Sequence, residues 1–333
     1  MVANGMDSRT DMIQVKDLVK RYGKLEAVRG VSFSVGQGEI FGFLGPNGAG
    51  KTTTINVLCT LLRPTSGHAT VNGYDVQQQR SEVRRSIGLV FQEPTIDDYL
   101  TAEQNLRFHA YAYGVPPAVR EQRIKEMLTM VELWDRRKNR TRTYSGGMKR
   151  RLEIARGLIH HPRVLFLDEP TLGLDPQTRR LIWDYILALR RQERLTIFLT
   201  TQYMDEAEVC DRIAIIDNGL IVALDTPDKL KDTVGGDLVT LRAQDNEAAV
   251  RELRERYHLS PEMENGAVHF GVPRGEEFLP DFVRGFGQRL LSVGVRRPTL
   301  DDVFLKLTGR AIREQAPGAF EHIKMMLRSM GRH

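Results

Sequence analysis

The chain has 333 residues, 41% of them hydrophobic and 27% charged, close to globular averages, which excludes wholesale disorder and collagen-like repetition. At roughly 100–200 residues per domain, that length predicts about two domains with full cores. The 48 basic and 43 acidic residues leave a formal charge of +5, but both signs are interspersed along the chain. A nucleic-acid footprint would cluster on one face, so no nucleic-acid partner is expected; the excess fits a mixed solvated surface or contact with anionic lipid.

No apolar run approaches the roughly 18 residues that suggest a membrane span. Residues 1–11 are polar, without the apolar stretch of a secretory signal, and read as a flexible N-terminus. Cys59 and Cys210 lie far apart, with neither metal nor disulfide spacing, as in a reducing cytosol.

From residue 12 the pattern predicts strand, turn, strand, then a buried strand at 40–44 running into a glycine-rich loop. A helix over 52–62 ends at Arg63-Pro64-Thr65-Ser66-Gly67, and another apolar run, 87–91, stops at Gln92. Residues 93–144 turn helical: Thr101 to Gln104 has capping-box spacing, and Gly114-Val115-Pro116-Pro117 ends one helix and starts the next. Ile124, Met127, Leu128 and Val131 then share one apolar face, which makes Met127 a core residue. Strands are predicted at 164–167, 196–200 and 213–216, with a helix whose apolar face is Leu181, Ile182, Tyr185, Ile186 and Leu189 before the second. Such alternation argues a largely parallel α/β sheet.

The first domain is expected to span 12–226, its helical part about 93–160. Past Gly235-Gly236, short runs (238–241, 268–272, 291–295) alternate with helical stretches (247–257, 276–290, 300–308). They predict a small accessory or dimer-stabilising α/β domain over 227–310, followed by a basic tail, 311–333. The apolar and basic residues of 320–333 suit a terminal helix or a lipid contact.

Three segments carry chemistry. Gly45-Pro46-Asn47-Gly48-Ala49-Gly50-Lys51-Thr52 fits G-x-x-x-x-G-K-[ST] between a strand and a helix. Its glycines let successive N–H groups point inward, and the helix N-terminus favours an anionic phosphate. Lys51 can reach β- and γ-phosphates, and the Thr52 hydroxyl can ligate Mg²⁺. The buried run 164–167 ends in Asp168-Glu169; on an alternating strand these neighbours can divide the work, Asp168 holding Mg²⁺ and Glu169 polarising the attacking water. Ser145-Gly146-Gly147 opens a helix with the apolar face Met148, Leu152, Ala155 and Ile159, readable as an ordinary N-cap or as a second phosphate seat.

With these motifs in this order, residues 12–226 resemble the ATP-binding domain of the ABC ATPases. The resemblance implies a P-loop α/β cassette with a RecA-like core, an antiparallel β subdomain and a helical subdomain, and the cofactors ATP and Mg²⁺. It implies that the loop through Thr53 holds ATP, that Thr52, Gln92 and Asp168 surround Mg²⁺, and that Glu169 is the general base. Ser145 and Gly147 would close over ATP bound to a second copy, Asp175 of Gly173-Leu174-Asp175 would link the two sites, and Tyr22 would stack on adenine. Most of the family has histidine where this chain has Gln202; both side chains can donate to a phosphate oxygen, but glutamine cannot become cationic. Gln202 and the segment Arg296-Arg297-Pro298-Thr299-Leu300-Asp301-Asp302-Val303-Phe304 resemble the daunorubicin-resistance branch of the exporters.

By resemblance, then, the chain is an ATPase at the cytoplasmic face of a bacterial membrane, driving efflux of a hydrophobic drug, antibiotic or lipid through a separate integral-membrane permease docked near Gln92 and residues 93–144. The rival readings are a soluble ATPase acting on ribosomes or nucleic acid, against which the single cassette and the short 93–144 segment weigh, and an import ATPase with a regulatory C-terminal module.

Overall fold

The computed structural model describes residues 11–309 apart from 194 and 265. β1 (Asp11–Tyr22) and β2 (Leu25–Gly36) form an antiparallel hairpin, and Asp11, expected in a flexible terminus, already pairs with Gly36. β3 (Ile40–Leu44), buried throughout, delivers the chain to the glycine loop and α1 (Lys51–Leu58). That helix stops short of the expected residue 62, and Thr60 beyond it is left-handed, with φ 63°. β4 (Ser66–Val71) and β5 (Tyr74–Asp75) extend the hairpin into an antiparallel sheet ordered β2-β1-β4-β5.

α2 (Arg80–Ser86) leads into β6 (Ile87–Val90), and the helical segment follows with α3 (Ala102–Ala112), α4 (Pro117–Met130) and α5 (Gly146–Leu158). The expected capping box is present: the Gln104 amide donates to the Thr101 hydroxyl at 3.2 Å and the Thr101 amide to the Gln104 side chain at 2.9 Å. Ile124, Met127, Leu128 and Val131 are all buried.

β7 (Val164–Asp168), α6 (Pro176–Glu193), β8 (Thr196–Thr201), the single turn α7 (Met204–Ala207), β9 (Arg212–Asp217) and β10 (Leu220–Asp225) complete the cassette. Its six-stranded sheet has the order β10-β9-β3-β8-β7-β6, parallel except for the β9–β10 hairpin. One expectation for α6 fails: Leu181 is exposed, and Trp183 takes its place beside Ile182, Ile186 and Leu189 in the core. The buried face is rotated by a fraction of a turn from the strict i, i+3, i+4 stripe.

Because strand side chains alternate, the central sheet separates two cores. Ile40, Leu44, Leu165, Leu167, Ile197 and Leu199 face the helical side. Phe41, Phe43, Phe166 and Phe198 face the antiparallel sheet, where Phe33 stacks on Phe41 with centroids 5.4 Å apart. Each such side chain contributes about 1.5–3 kcal/mol on burial. Cys59 and Cys210 are free and buried, and burial pushes both thiols up.

The C-terminal part divides differently from the expected cut at 226. α8 (Pro227–Asp232) is followed by β11 (Asp237–Ala243), α9 (Asn246–Tyr257), the short β12 (Glu262–Glu264), β13 (Ala267–Val272), α10 (Gly275–Gly285), β14 (Leu290–Arg296) and α11 (Leu300–Thr308). The antiparallel sheet β12-β13-β11-β14 has its own core with α9 and α10, centred on Phe270, Phe278, Phe282 and Phe286. α8 and α11 do not join it: Leu230, Leu300, Val303 and Phe304 complete the cassette's helical-side core. The basic tail, 311–333, lies outside the described residues.

The segment 296–304 carries the chain from the module's sheet back to the cassette. The Arg296 guanidinium grips Asp302 with two bonds, at 2.6 and 2.8 Å, and the Thr299 amide and hydroxyl donate to the same carboxylate at 2.8 and 2.9 Å. Lys306 donates to the Thr233 carbonyl at 2.6 Å, fastening α11 to the end of α8. The bond from Arg296 holds the Asp302 carboxyl down at about 2. Its stabilisation is therefore fully present above the ordinary carboxylate pKa of about 4 and is lost as pH falls from there toward 2. Arg296→Ala should loosen α11 by about 1 kcal/mol, the guanidinium being half exposed. Native-state hydrogen exchange of residues 300–308 should then quicken about fivefold at neutral pH, and unchanged exchange would show that apolar docking alone holds the helix.

Candidate active site

The site assembles at the carboxyl ends of β3, β7 and β8, where an open parallel sheet leaves a ligand crevice. Close approach of neighbouring backbone demands glycine at two points of the loop 45–50, and Gly48 adds a third position at φ 81°. A Cβ on Gly45 would lie 2.3 Å from the Ile216 carbonyl oxygen of β9. Gly50, at φ 107°, caps α1, and its Cβ would lie 2.5 Å from the Ala27 carbonyl oxygen of β2. The loop is thus wedged between β2 and β9, and it leaves the first amides of α1 without helical acceptors.

Lys51 is 4% exposed, and its ammonium donates to the carbonyls of Gly45 at 2.8 Å and Pro46 at 3.2 Å. It also forms an ion pair with Glu169 Oε1 at 3.0 Å. The other Glu169 oxygen, Oε2, is buried with no partner. Asp168 Oδ1 accepts from the Thr52 hydroxyl at 3.3 Å and from the Thr200 hydroxyl at 2.5 Å. These hard oxygens are the donor set a Mg²⁺ ion takes. The orphaned Glu169 and Gln202 oxygens are acceptors and call for a cation or its waters, while the free amides of the loop and Lys51 supply donors for phosphate, so the residues present fit a metal–triphosphate.

One expectation about the carboxylates is corrected. They do not divide their tasks by strand alternation: β7 ends at Asp168, and Glu169 turns left-handed at φ 45°. The turn is held by the Glu169 amide, which donates to the Thr200 carbonyl and hydroxyl, each at 3.1 Å. Gln202 follows β8, 8% exposed, with its Oε1 unpartnered. Gln92, half buried, follows β6, which pairs with β7 up to Val90–Leu167. Tyr22, 45% exposed, sits at the β1–β2 turn with the Lys20 ammonium 5.1 Å from its ring.

The remaining expected residues form a separate group. Ser145 caps α5 through the Met148 amide at 3.3 Å, which is the N-cap reading, and its exposure leaves the outer face of the cap open. Gly147 packs against Thr178, and Asp175 caps α6 through the Thr178 hydroxyl at 2.6 Å and amide at 2.9 Å, bonds that hold the Asp175 carboxyl below its usual range. Among the described residues no hydrogen bond links Ser145, Gly146, Gly147 or Asp175 to Lys51, Thr52 or Asp168.

Two side chains that hold the carboxylate turn escaped the sequence reading. Thr200 orients both Asp168 and Glu169; its only signal is a hydroxyl residue at the end of an apolar core strand. Arg150, on the helix opened by Ser145, is 6% exposed and donates to the backbone carbonyls of Asp168 and Glu169 at 3.2 Å and of Pro170 at 2.5 Å, and also to that of Phe91. It buttresses the turn from behind.

A family model described as "ABC transporter" matches residues 28–172. The chain is 40% identical over 306 residues to the daunorubicin resistance ATP-binding protein DrrA2 of Streptomyces coeruleorubidus, covering 89% of this chain and 95% of that protein. It is 38% identical over 313 residues to the linearmycin resistance ATP-binding protein LnrL of Bacillus subtilis, covering 91% and 100%. Among solved structures it resembles a dimeric ATP-binding cassette in a post-hydrolysis state with ADP and Pi (TM-score 0.59, 27% identity, 65% of this chain and 98% of that one).

Thr200→Val keeps the shape of a buried side chain and deletes the hydroxyl shared by Asp168 and Glu169. A hydrogen bond to a charged group is worth about 1.5–3 kcal/mol, so Mg-ATP affinity should fall roughly tenfold or more in a calorimetric titration while the fold persists. Unchanged affinity would mean that Asp168 is positioned by the strand alone.

Proposed function

The chain belongs to the ABC transporter family, and from that premise we propose that two copies close head to tail over Mg-ATP and power an exporter for a hydrophobic drug, antibiotic or lipid. The carrying observation is the divided site. A phosphate cradle with its carboxylates sits at one place on the chain, and the Ser145-Gly146-Gly147 cap, with Ser145 and Gly146 exposed, at another, with no hydrogen bond between them among the described residues. Each is half of a site, and a second copy supplies the missing half to each.

In this reading the amides of 45–53 bind the phosphates and Tyr22 stacks on adenine. Thr52, Asp168 and Gln92 hold Mg²⁺, which supplies charge neutralisation at the β- and γ-phosphates. Lys51 exchanges its two carbonyl acceptors and Glu169 for phosphate oxygens, which frees Glu169 Oε1 as the nucleotide arrives. Glu169 then accepts the proton of the attacking water. Ser145 and Gly147 of the second copy cover the γ-phosphate, with Asp175 at the junction. Gln202 donates to a phosphate oxygen and stays uncharged, so this residue adds no titration to turnover.

No described helix is long and apolar enough to cross a membrane, and the translocation path is assigned to a separate permease. The exposed aromatics Tyr99, Phe108 and Tyr111 in the helical segment favour docking there, at the cytoplasmic face. The relatives' names, which speak of daunorubicin and linearmycin resistance, support a hydrophobic antibiotic as cargo.

Glu169→Gln should retain Mg-ATP binding, lower turnover by about a hundredfold or more, and shift the chain from monomer to dimer in light scattering with ATP. Normal steady-state turnover would remove Glu169 from the role of base. Gln202→His should keep activity; complete loss would show a site rebuilt around the uncharged amide. Cargo is tested by co-purifying the permease and measuring ATPase stimulation by anthracyclines against lipids.

A further inference from the structure

One buried carboxylate lies outside the reacting group and yet touches both loops that carry it. Glu206, on the single turn α7, is 2% exposed. Its Oε2 accepts from the Thr201 hydroxyl at 2.6 Å, and its Oε1 accepts from the Thr171 hydroxyl. Thr201 immediately precedes Gln202, and its oxygen also accepts the Tyr203 amide at 2.9 Å, closing the turn on which Gln202 stands. Thr171 lies two residues after Glu169, on the way to Asp175.

No cation pairs directly with this carboxylate among the described residues. The Arg179 guanidinium of α6 acts on it from a distance while lying 4.1 Å over the Tyr203 ring. Burial accordingly raises the Glu206 carboxyl above its usual range. A glutamate so placed is costly, and an apolar side chain would fill the space more cheaply. What the carboxylate supplies, and a hydrocarbon does not, is a rigid two-pronged acceptor between hydroxyls on two different loops.

We infer that Glu206 is a positioning residue for ATP hydrolysis: it fixes the Glu169–Asp175 loop and the Gln202 turn in one mutual register, so that base and phosphate donor address the same γ-phosphate. The inference rests on the roles proposed above for Glu169 and Gln202. Glu206 bonds neither the loop 45–53 nor Asp168, the groups that carry most of the nucleotide and metal, so its effect falls mainly on turnover. Glutamine at this position keeps one accepting oxygen, and its other prong becomes an NH₂ donor that can hold its threonine only by reversing that bond and turning the hydroxyl proton elsewhere.

The test is a double-mutant cycle on steady-state ATPase of the full chain with Glu206→Gln, Gln202→Ala and both together. Glu206→Gln should lower kcat about tenfold or more and shift KM for ATP less than about threefold. The double variant should be no slower than the slower single one, because both changes disable the same alignment. Thr171→Val, which removes only the partner of Oε1, should reproduce part of the kcat loss, and it replaces Glu206→Gln throughout the cycle, with the same expected pattern, if that variant does not fold. Wild-type kcat in Glu206→Gln, a loss confined to KM, or losses that multiply in the double variant would each overturn the inference. If Gln202→Ala itself turns over normally, the proposed role of Gln202 falls and the alignment falls with it. If Gln202→Ala is slow while Glu206→Gln is not, only the present inference is lost.

Discussion

A lysine ammonium buried without an anion would cost several kcal/mol, and the cassette solves this for Lys51 with Glu169. That pair, at 3.0 Å and almost wholly buried, is the constraint around which the site is arranged. In the reading proposed above, a triphosphate offers the lysine a stronger anion and displaces Glu169. In the proposed mechanism the side chain thus released is the one asked to take a proton next. The resting charge balance and the order of events at the site share one physical cause.

Holding this pair in place requires a backbone that no single strand supplies. Asp168 finishes β7, and Glu169 must break away in a left-handed turn to bring its carboxylate toward the loop 45–50. Thr200, in register with Asp168 on β8, accepts the Glu169 amide and donates to Asp168, while Arg150 fastens the carbonyls of Asp168, Glu169 and Pro170 from the helical side. The left-handed residue is therefore over-determined from both faces of the sheet, as backbone strain at a functional position requires.

What the sequence made legible follows from how local each feature is. The glycine loop, the capping box at Thr101 and the buried strands are written in contiguous residues, and their conformations depend on near neighbours or on hydrophobic period alone. Thr200, Arg150 and Glu206 were not legible, because a hydroxyl, a guanidinium or a carboxylate acquires its role only when a distant strand or loop is brought beside it. Leu181 and Trp183 exchanged places for a similar reason: a helical face wide enough for either is resolved by the partner it meets. The cut at 226 misled because a change in sequence texture marks where a new sheet begins, whereas Leu230, Leu300, Val303 and Phe304 pack back into the first core.

That packing bears on how the C-terminal module relates to the ATPase. Its sheet is entered from α8 and left toward α11, and both helices belong to the cassette's core. The module is therefore attached at both ends rather than trailing from one linker, with the Arg296–Asp302 clasp at its exit and the Lys306–Thr233 bond drawing entry and exit together. The core they join is the helical-side core, which also contains Leu152 and Ala155 of the helix that Ser145 opens. The module is thus fixed to the cassette at both of its ends by side chains in contact with the same core that carries the Ser145 helix.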